Sequence, residues 1–134
     1  MITKINHIGI AVRSLTDHIP FYRDALGLKY LGTEEVTDQK VKTAVFAVGD
    51  VHIELLEPTA DDSPIAKFIA KRGEGLHHIA YESDDVESEL DDFKKRNIRL
   101  IDEEPRPGAH KTLIAFLHPG STGRVLTEIC QKET

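Results

Sequence analysis

Apolar and polar residues alternate from the start of the chain, and the run Asn6-His7-Ile8-Gly9-Ile10-Ala11-Val12 sets small residues against bulky ones in the two-residue period of a β-strand. The period then changes. Leu15, Ile19, Tyr22 and Leu26 recur at 4-3-4 spacing, which draws one face of a helix. Ser14 suits its N-cap and Gly27 its stop, while Pro20 is expected to bend the first turns by removing a backbone donor. Short apolar runs follow at residues 28–31, 43–48 and 51–56, each reading as a strand.

The same succession then starts again. His77-His78-Ile79-Ala80-Tyr81-Glu82-Ser83 opens as a strand. Val86, Leu90 and Phe93 form the helical stripe, with Asp84 or Asp85 as cap and Asn97 as stop. Strands are expected at 98–101, 112–117 and 125–130. The order is β-α-β-β-β twice, over about residues 3–58 and 76–131. Between the repeats, residues 63–73 hold a linker helix over 64–72, capped by Ser63 or Asp62, with Pro64 at its first position and Gly73 after its end. One helix cannot cover both faces of a four-stranded half-sheet. The pattern therefore predicts an α+β fold in which two βαβββ modules form one curved sheet around a shared cleft, as a single domain over residues 1–134.

A length of 134 residues is one domain's worth of core. The formal charge of −6 argues against a nucleic-acid surface, although Lys67, Lys71 and Arg72 form a local basic cluster. Cys130 is the only cysteine, which excludes an internal disulfide and any cysteine-rich zinc site and fits a reducing compartment. No apolar run is long enough to suggest a membrane span, and the N-terminal residues lack the pattern of a secretory signal. A cytoplasmic protein without membrane or nucleic-acid partners is expected.

The repeat also aligns chemistry. His7 and His78 open the first strands, 71 residues apart, and Glu54 and Glu128 interrupt the apolar last strands, 74 residues apart. Glu54 points away from Ile53 and Leu55, and Glu128 away from Thr127 and Ile129. A buried carboxylate needs a hydrogen bond, an ion pair or a metal. Two imidazoles and two carboxylates make an N2O2 set suited to a first-row divalent ion, with open positions for substrate. Individually, a histidine at a strand start is more often structural and a glutamate in a strand more often solvated; the symmetry of both pairs favours the metal reading. His52 shares the parity of Glu54 and is expected to line the cleft. His77 faces away from His78, and His18 sits on an exposed helix face. His110 and His118 have no symmetric counterparts.

With these residues in place, the whole chain resembles the vicinal-oxygen-chelate superfamily. Four segments resemble its methylmalonyl-CoA epimerase family in particular: Asp62-Ser63-Pro64-Ile65-Ala66-Lys67-Phe68; Gly75-Leu76-His77-His78-Ile79-Ala80; Gly108-Ala109-His110 with Phe116-Leu117-His118-Pro119; and Val125-Leu126-Thr127-Glu128-Ile129-Cys130-Gln131. The resemblance implies ligation of a divalent metal ion (cobalt, manganese, nickel, zinc or magnesium) by His7, Glu54, His78 and Glu128. Some members have Gln at the place of Glu54. It implies interconversion of (2R)- and (2S)-methylmalonyl-CoA by proton removal at C2 through a metal-stabilised enolate. It also implies a small acyl-CoA as substrate and a homodimer. Glu128 is the leading acid/base candidate and Glu82 a weaker one; the second acid/base group stays unassigned. Alternatives are glyoxalase I, which uses the same ligand set, an iron-dependent extradiol dioxygenase, and a metal-free small-ligand binding protein.

Overall fold

The computed structural model describes residues 1–133. The chain divides into two compact units, one of residues 7–77 and one of residues 1–6 with the segment from His78 onward. Both repeats are βαβββ, and the fold is α+β. Strand β1 (Ile2–Ala11) contributes its first residues to one unit and its last to the other.

In the unit of residues 7–77, β1 is followed by α1 (Leu15–Pro20), β2 (Lys29–Val36), β3 (Val41–Val48), β4 (Val51–Pro58) and α2 (Pro64–Arg72). The strand order is β2-β3-β4-β1, antiparallel except for the parallel β4/β1 pair. Strand alternation sorts the core by parity. Leu55, Ala44, Phe46 and Val12 pack with Leu15 of α1, whereas Leu56, Ala11 and Val41 pack with Ile65 and Ile69 of α2. The Ser63 hydroxyl, fully buried, caps α2 by accepting from the Ile65 N–H at 3.1 Å. Among the described residues, no helix is long and apolar enough to cross a membrane.

Ser14 caps α1 by accepting from the Asp17 N–H, and the Glu57 carboxylate takes the Leu15 N–H at 2.9 Å. Pro20 does more than bend this helix. After it the backbone widens into a π-helical turn, Phe21–Ala25, in which the Leu26 N–H reaches back five residues to the Phe21 carbonyl at 2.9 Å. The wider turn rotates Leu26 off the stripe begun by Leu15, Ile19 and Tyr22. Leu26 is 52% exposed, contrary to the 4-3-4 expectation.

In the other unit, β5 (Gly75–Ser83) leads to α3 (Val86–Lys95), β6 (Arg106–Pro107), β7 (Thr112–Leu117) and β8 (Leu126–Lys132). The order is β5-β8-β7-β6, with β5/β8 parallel and the rest antiparallel. Asp85 caps α3 by accepting from the Ser88 N–H at 3.1 Å. Val86 and Leu90 bury against Ala115, Leu117 and Ile129. Asn97, in the left-handed region at φ 61°, ends the turn.

The strand expected at residues 98–101 does not form. That segment makes a single bridge, Leu100 to Leu117. The Asp102 carboxylate then accepts the Phe116 N–H at 2.9 Å, taking the place of a strand carbonyl, and the ladder resumes only at the two-residue β6. The segment does bond to β7, through the His118 N–H to the Arg99 carbonyl and the Ile101 N–H to the Phe116 carbonyl, both at 2.9 Å, but the Asp102 N–H converges on that same Phe116 carbonyl at 3.1 Å and the regular ladder goes no further.

Candidate metal and acid-base site

Each unit brings together one histidine and one glutamate by the same local rule. In the parallel β1/β4 pair, His7 lies opposite His52 and Gly9 opposite Glu54. In the parallel β5/β8 pair, His78 lies opposite Leu126 and Ala80 opposite Glu128. In both cases a small residue two positions after the histidine faces the glutamate, so imidazole and carboxylate meet diagonally on one sheet face. His7 Nδ1 lies 3.6 Å from Glu54 Oε2, and His78 Nε2 lies 3.5 Å from Glu128 Oε1. Donor atoms bound to one ion at roughly 2.1 Å each stand about 3.0 to 3.4 Å apart, so both spacings lie just beyond that range and are too long for a tight hydrogen bond. His7, His78 and Glu128 are buried, and Glu54 is nearly so.

The His7–Glu54 contact is not an ordinary salt bridge. Burial, followed by the neighbouring His52, holds the His7 imidazole down to about 4. Burial, followed by Glu34, pushes the Glu54 carboxyl up to about 7. Between those values both groups are neutral, because neither keeps a charge well away from water. Neutral imidazole is already the ligating form, whereas Glu54 must lose a proton to become a full carboxylate donor. Of the four expected ligands, His7, His78 and Glu128 form a buried group that could hold a metal ion, and Glu54 stands beside His7.

The other titratable residues sort differently. His52 shares the sheet face of His7 and Glu54, as its parity requires. His77 meets the Phe68 ring edge-on at 4.9 Å, and burial lowers its imidazole to about 4. His18 contacts Glu74 at 3.0 Å near the surface. The Nδ1 of His118 accepts the Gly120 N–H at 2.9 Å, capping a 3-10 turn, Pro119–Ser121. His110 lies in a loop with φ 55°. At Gly108 a Cβ would stand 2.6 Å from the Ile114 side chain, so the motif requires glycine there for steric reasons. Glu82 accepts from Asn6 Nδ2 at 2.8 Å and faces Lys132 Nζ at 3.9 Å, a setting that satisfies it as a strand-end carboxylate.

Sequence reasoning missed the influence of Glu34 on Glu54. Register supplies it: Glu34 pairs with Thr43 and Thr43 with Leu56, placing Glu34 on the sheet face that Glu54 shares with Leu56. It also missed the Phe116 ring, which stands 6.0 Å from the His78 ring at 74°. The alternating apolar pattern of β7 was the available signal, because Phe116 falls opposite Glu128.

A profile of the Glyoxalase/Bleomycin resistance protein/Dioxygenase superfamily matches residues 6–116. The chain is 44% identical to the uncharacterized protein YqjC of Bacillus subtilis, over 96% of this chain and 91% of that protein. It is 35% identical to the ethylmalonyl-CoA/methylmalonyl-CoA epimerase of Cereibacter sphaeroides, over 98% and 99% of the two chains. A solved methylmalonyl-CoA epimerase in complex with methylmalonyl-CoA and ammonium superposes with a TM-score of 0.90 at 37% identity, covering 100% of this chain and 97% of that one. The chain belongs to the glyoxalase/bleomycin resistance protein/dioxygenase superfamily and, within it, to the methylmalonyl-CoA epimerase family.

Proposed function

We infer that this chain interconverts (2R)- and (2S)-methylmalonyl-CoA, with His7, Glu54, His78 and Glu128 holding one divalent ion in a single domain over residues 1–134. The observation that carries the reading is similarity to epimerases along essentially the full length of both partners. Two His–Glu pairs at repeat-equivalent positions, one of them fully buried, support the ligand set.

The C2 proton lies between a thioester and a carboxylate, so its loss spreads negative charge onto both. When bound, a divalent ion would supply Lewis-acid stabilisation of that charge. The chain's own residues do the rest. The imidazoles of His7 and His78 offer nitrogen donors held by burial. Glu54 completes the set on ionising. Glu128 is the residue we assign to proton transfer at C2, because a carboxylate oxygen beside the reacting carbon can accept the proton from one face. Inversion needs a second group on the other face. Cobalt or manganese are the ions to test first, since affinity order alone does not select among cobalt, manganese, nickel, zinc and magnesium. A homodimer is the assembly the family resemblance implies. The lone, buried Cys130 fits a reducing compartment, and we place the enzyme in the cytoplasm.

The test is metal-dependent deuteration. Cobalt- or manganese-loaded protein in heavy water should label C2 of methylmalonyl-CoA rapidly, and chelator should abolish the exchange. Succinyl-CoA, whose carboxylate is one carbon farther from the thioester, should exchange only in traces. If methylmalonyl-CoA stays unlabelled while the hemithioacetal of methylglyoxal and glutathione is isomerised, the epimerase reading fails and glyoxalase I replaces it.

A further inference from the structure

Arg106 lies on the same sheet face as Glu128. Phe116 is opposite Glu128 in register, Ile114 precedes Phe116 by two residues on the same face, and Arg106 is opposite Ile114. The Arg106 guanidinium sits over the Phe116 ring at 5.5 Å, and the same ring meets the His78 ring edge-on at 6.0 Å. Arginine, aromatic ring and buried imidazole thus form a short stack within one unit.

The guanidinium is held in place. Arg106 Nε donates to Asp102 Oδ1 at 3.1 Å, while Asp102 Oδ2 is fixed by the Phe116 N–H at 2.9 Å. Among the described residues, the side-chain hydrogen bonds of Arg106 run through Nε, so its two terminal amino groups remain to donate elsewhere. The side chain is 41% exposed, which leaves one edge open to a ligand. A planar fork whose Nε side is pinned and whose terminal edge is presented suits recognition of a carboxylate.

We propose that Arg106 recognises the free carboxylate of the acyl group and positions it beside C2. The proposal rests on the epimerase reading above and adds the residue that tells a malonyl-type thioester from a simple acyl-CoA. Coenzyme A also carries anions, its phosphates, but these lie at the far end of the pantetheine arm. The Phe116 ring ties Arg106 to His78, at the acyl end. A site built around a donor of this kind rejects an analogue that lacks the acceptor, because the donor is then left without a partner.

The experiment measures equilibrium binding of methylmalonyl-CoA and of propionyl-CoA, which lacks the carboxylate, to metal-loaded protein by calorimetry. Wild type should prefer methylmalonyl-CoA. Arg106→Gln should cut that preference by about tenfold or more, the scale of a charge-assisted hydrogen bond, with propionyl-CoA affinity unchanged. Arg106→Lys keeps the charge but not the fork, so it should lose severalfold; it carries the test if the Gln variant fails to fold. Equal weakening of both ligands would overturn the proposal in favour of a phosphate contact or a purely structural role. An unchanged preference in both variants would overturn it outright. Deuterium exchange by the wild-type protein is scored separately, so failure of the epimerase reading is distinguishable from failure of the Arg106 assignment.

Discussion

Metal binding should release a proton from Glu54, and the amount is set by its displaced acidity. With the carboxyl at about 7 in the metal-free protein, roughly 0.9 of Glu54 is protonated at pH 6, about 0.5 at pH 7 and about 0.1 at pH 8. Ligation needs the carboxylate, so those fractions are the protons expelled per ion. His7, held down to about 4, is already neutral across this range and adds almost nothing. The perturbation is Glu54→Gln, which keeps an oxygen donor but has no proton to lose. Metal titrated into metal-free protein, in buffers of differing ionisation enthalpy, reads proton release directly. The wild-type value minus the variant's should follow that sequence of fractions. The Glu54 contribution should also weaken wild-type metal affinity about tenfold at pH 6 relative to high pH. Equal proton release by both proteins at pH 6 would refute the reasoning. Without metal, the sign of the stability linkage differs between the two groups. The raised pKa of Glu54 contributes stability present below about 4.5 and lost as pH climbs through 7. The depressed His7 contributes stability present above about 6.5 and lost as pH falls through 4. Their slopes oppose one another across roughly pH 4.5 to 6.5.

His78→Ala should leave a folded protein whose metal affinity is greatly weakened, and undiminished affinity by calorimetry would remove His78 from the ligand set. Glu128→Gln should lower epimerase turnover by at least about a hundredfold while metal content falls less; parallel loss of both would recast Glu128 as a ligand alone. Leu90→Ala, at a position 1% exposed between α3 and the sheet, should cost about 2 to 5 kcal/mol in urea unfolding. An unshifted midpoint would place the core of that unit elsewhere.

Where local chemistry decides an element, the sequence was enough. Ser14 caps its helix as read, and Ser63 and Asp85, each one of two candidates in the sequence, cap theirs because their side chains accept nearby backbone N–H groups. The repeat located both His–Glu pairs, because each pair joins the first and last strands of its half, and register sets Gly9 opposite Glu54 and Ala80 opposite Glu128. What stayed illegible depended on the wider structure. Pro20 signals a missing donor but not whether the helix kinks or widens, and the choice of a π turn displaced Leu26. Residues 98–101 are apolar enough for a strand, yet the Asp102 carboxylate occupies the donor that would have extended the ladder. Glu34 acts on Glu54 from another strand, 20 residues away in the chain, so no local pattern could disclose it.

The abrupt end of the ladder at β6 also governs what can attach to that side of the protein. An outer strand normally offers a row of unpaired N–H and C=O groups on which a stray chain can zip up. Here that strand is two residues long. Pro105 and Pro107 bring no N–H to it, and a carboxylate has already taken the Phe116 amide that would otherwise continue the row. The margin is therefore a poor template for fibril growth or strand exchange. The aspartate that anchors Arg106 serves at the same time as a stopper against aggregation.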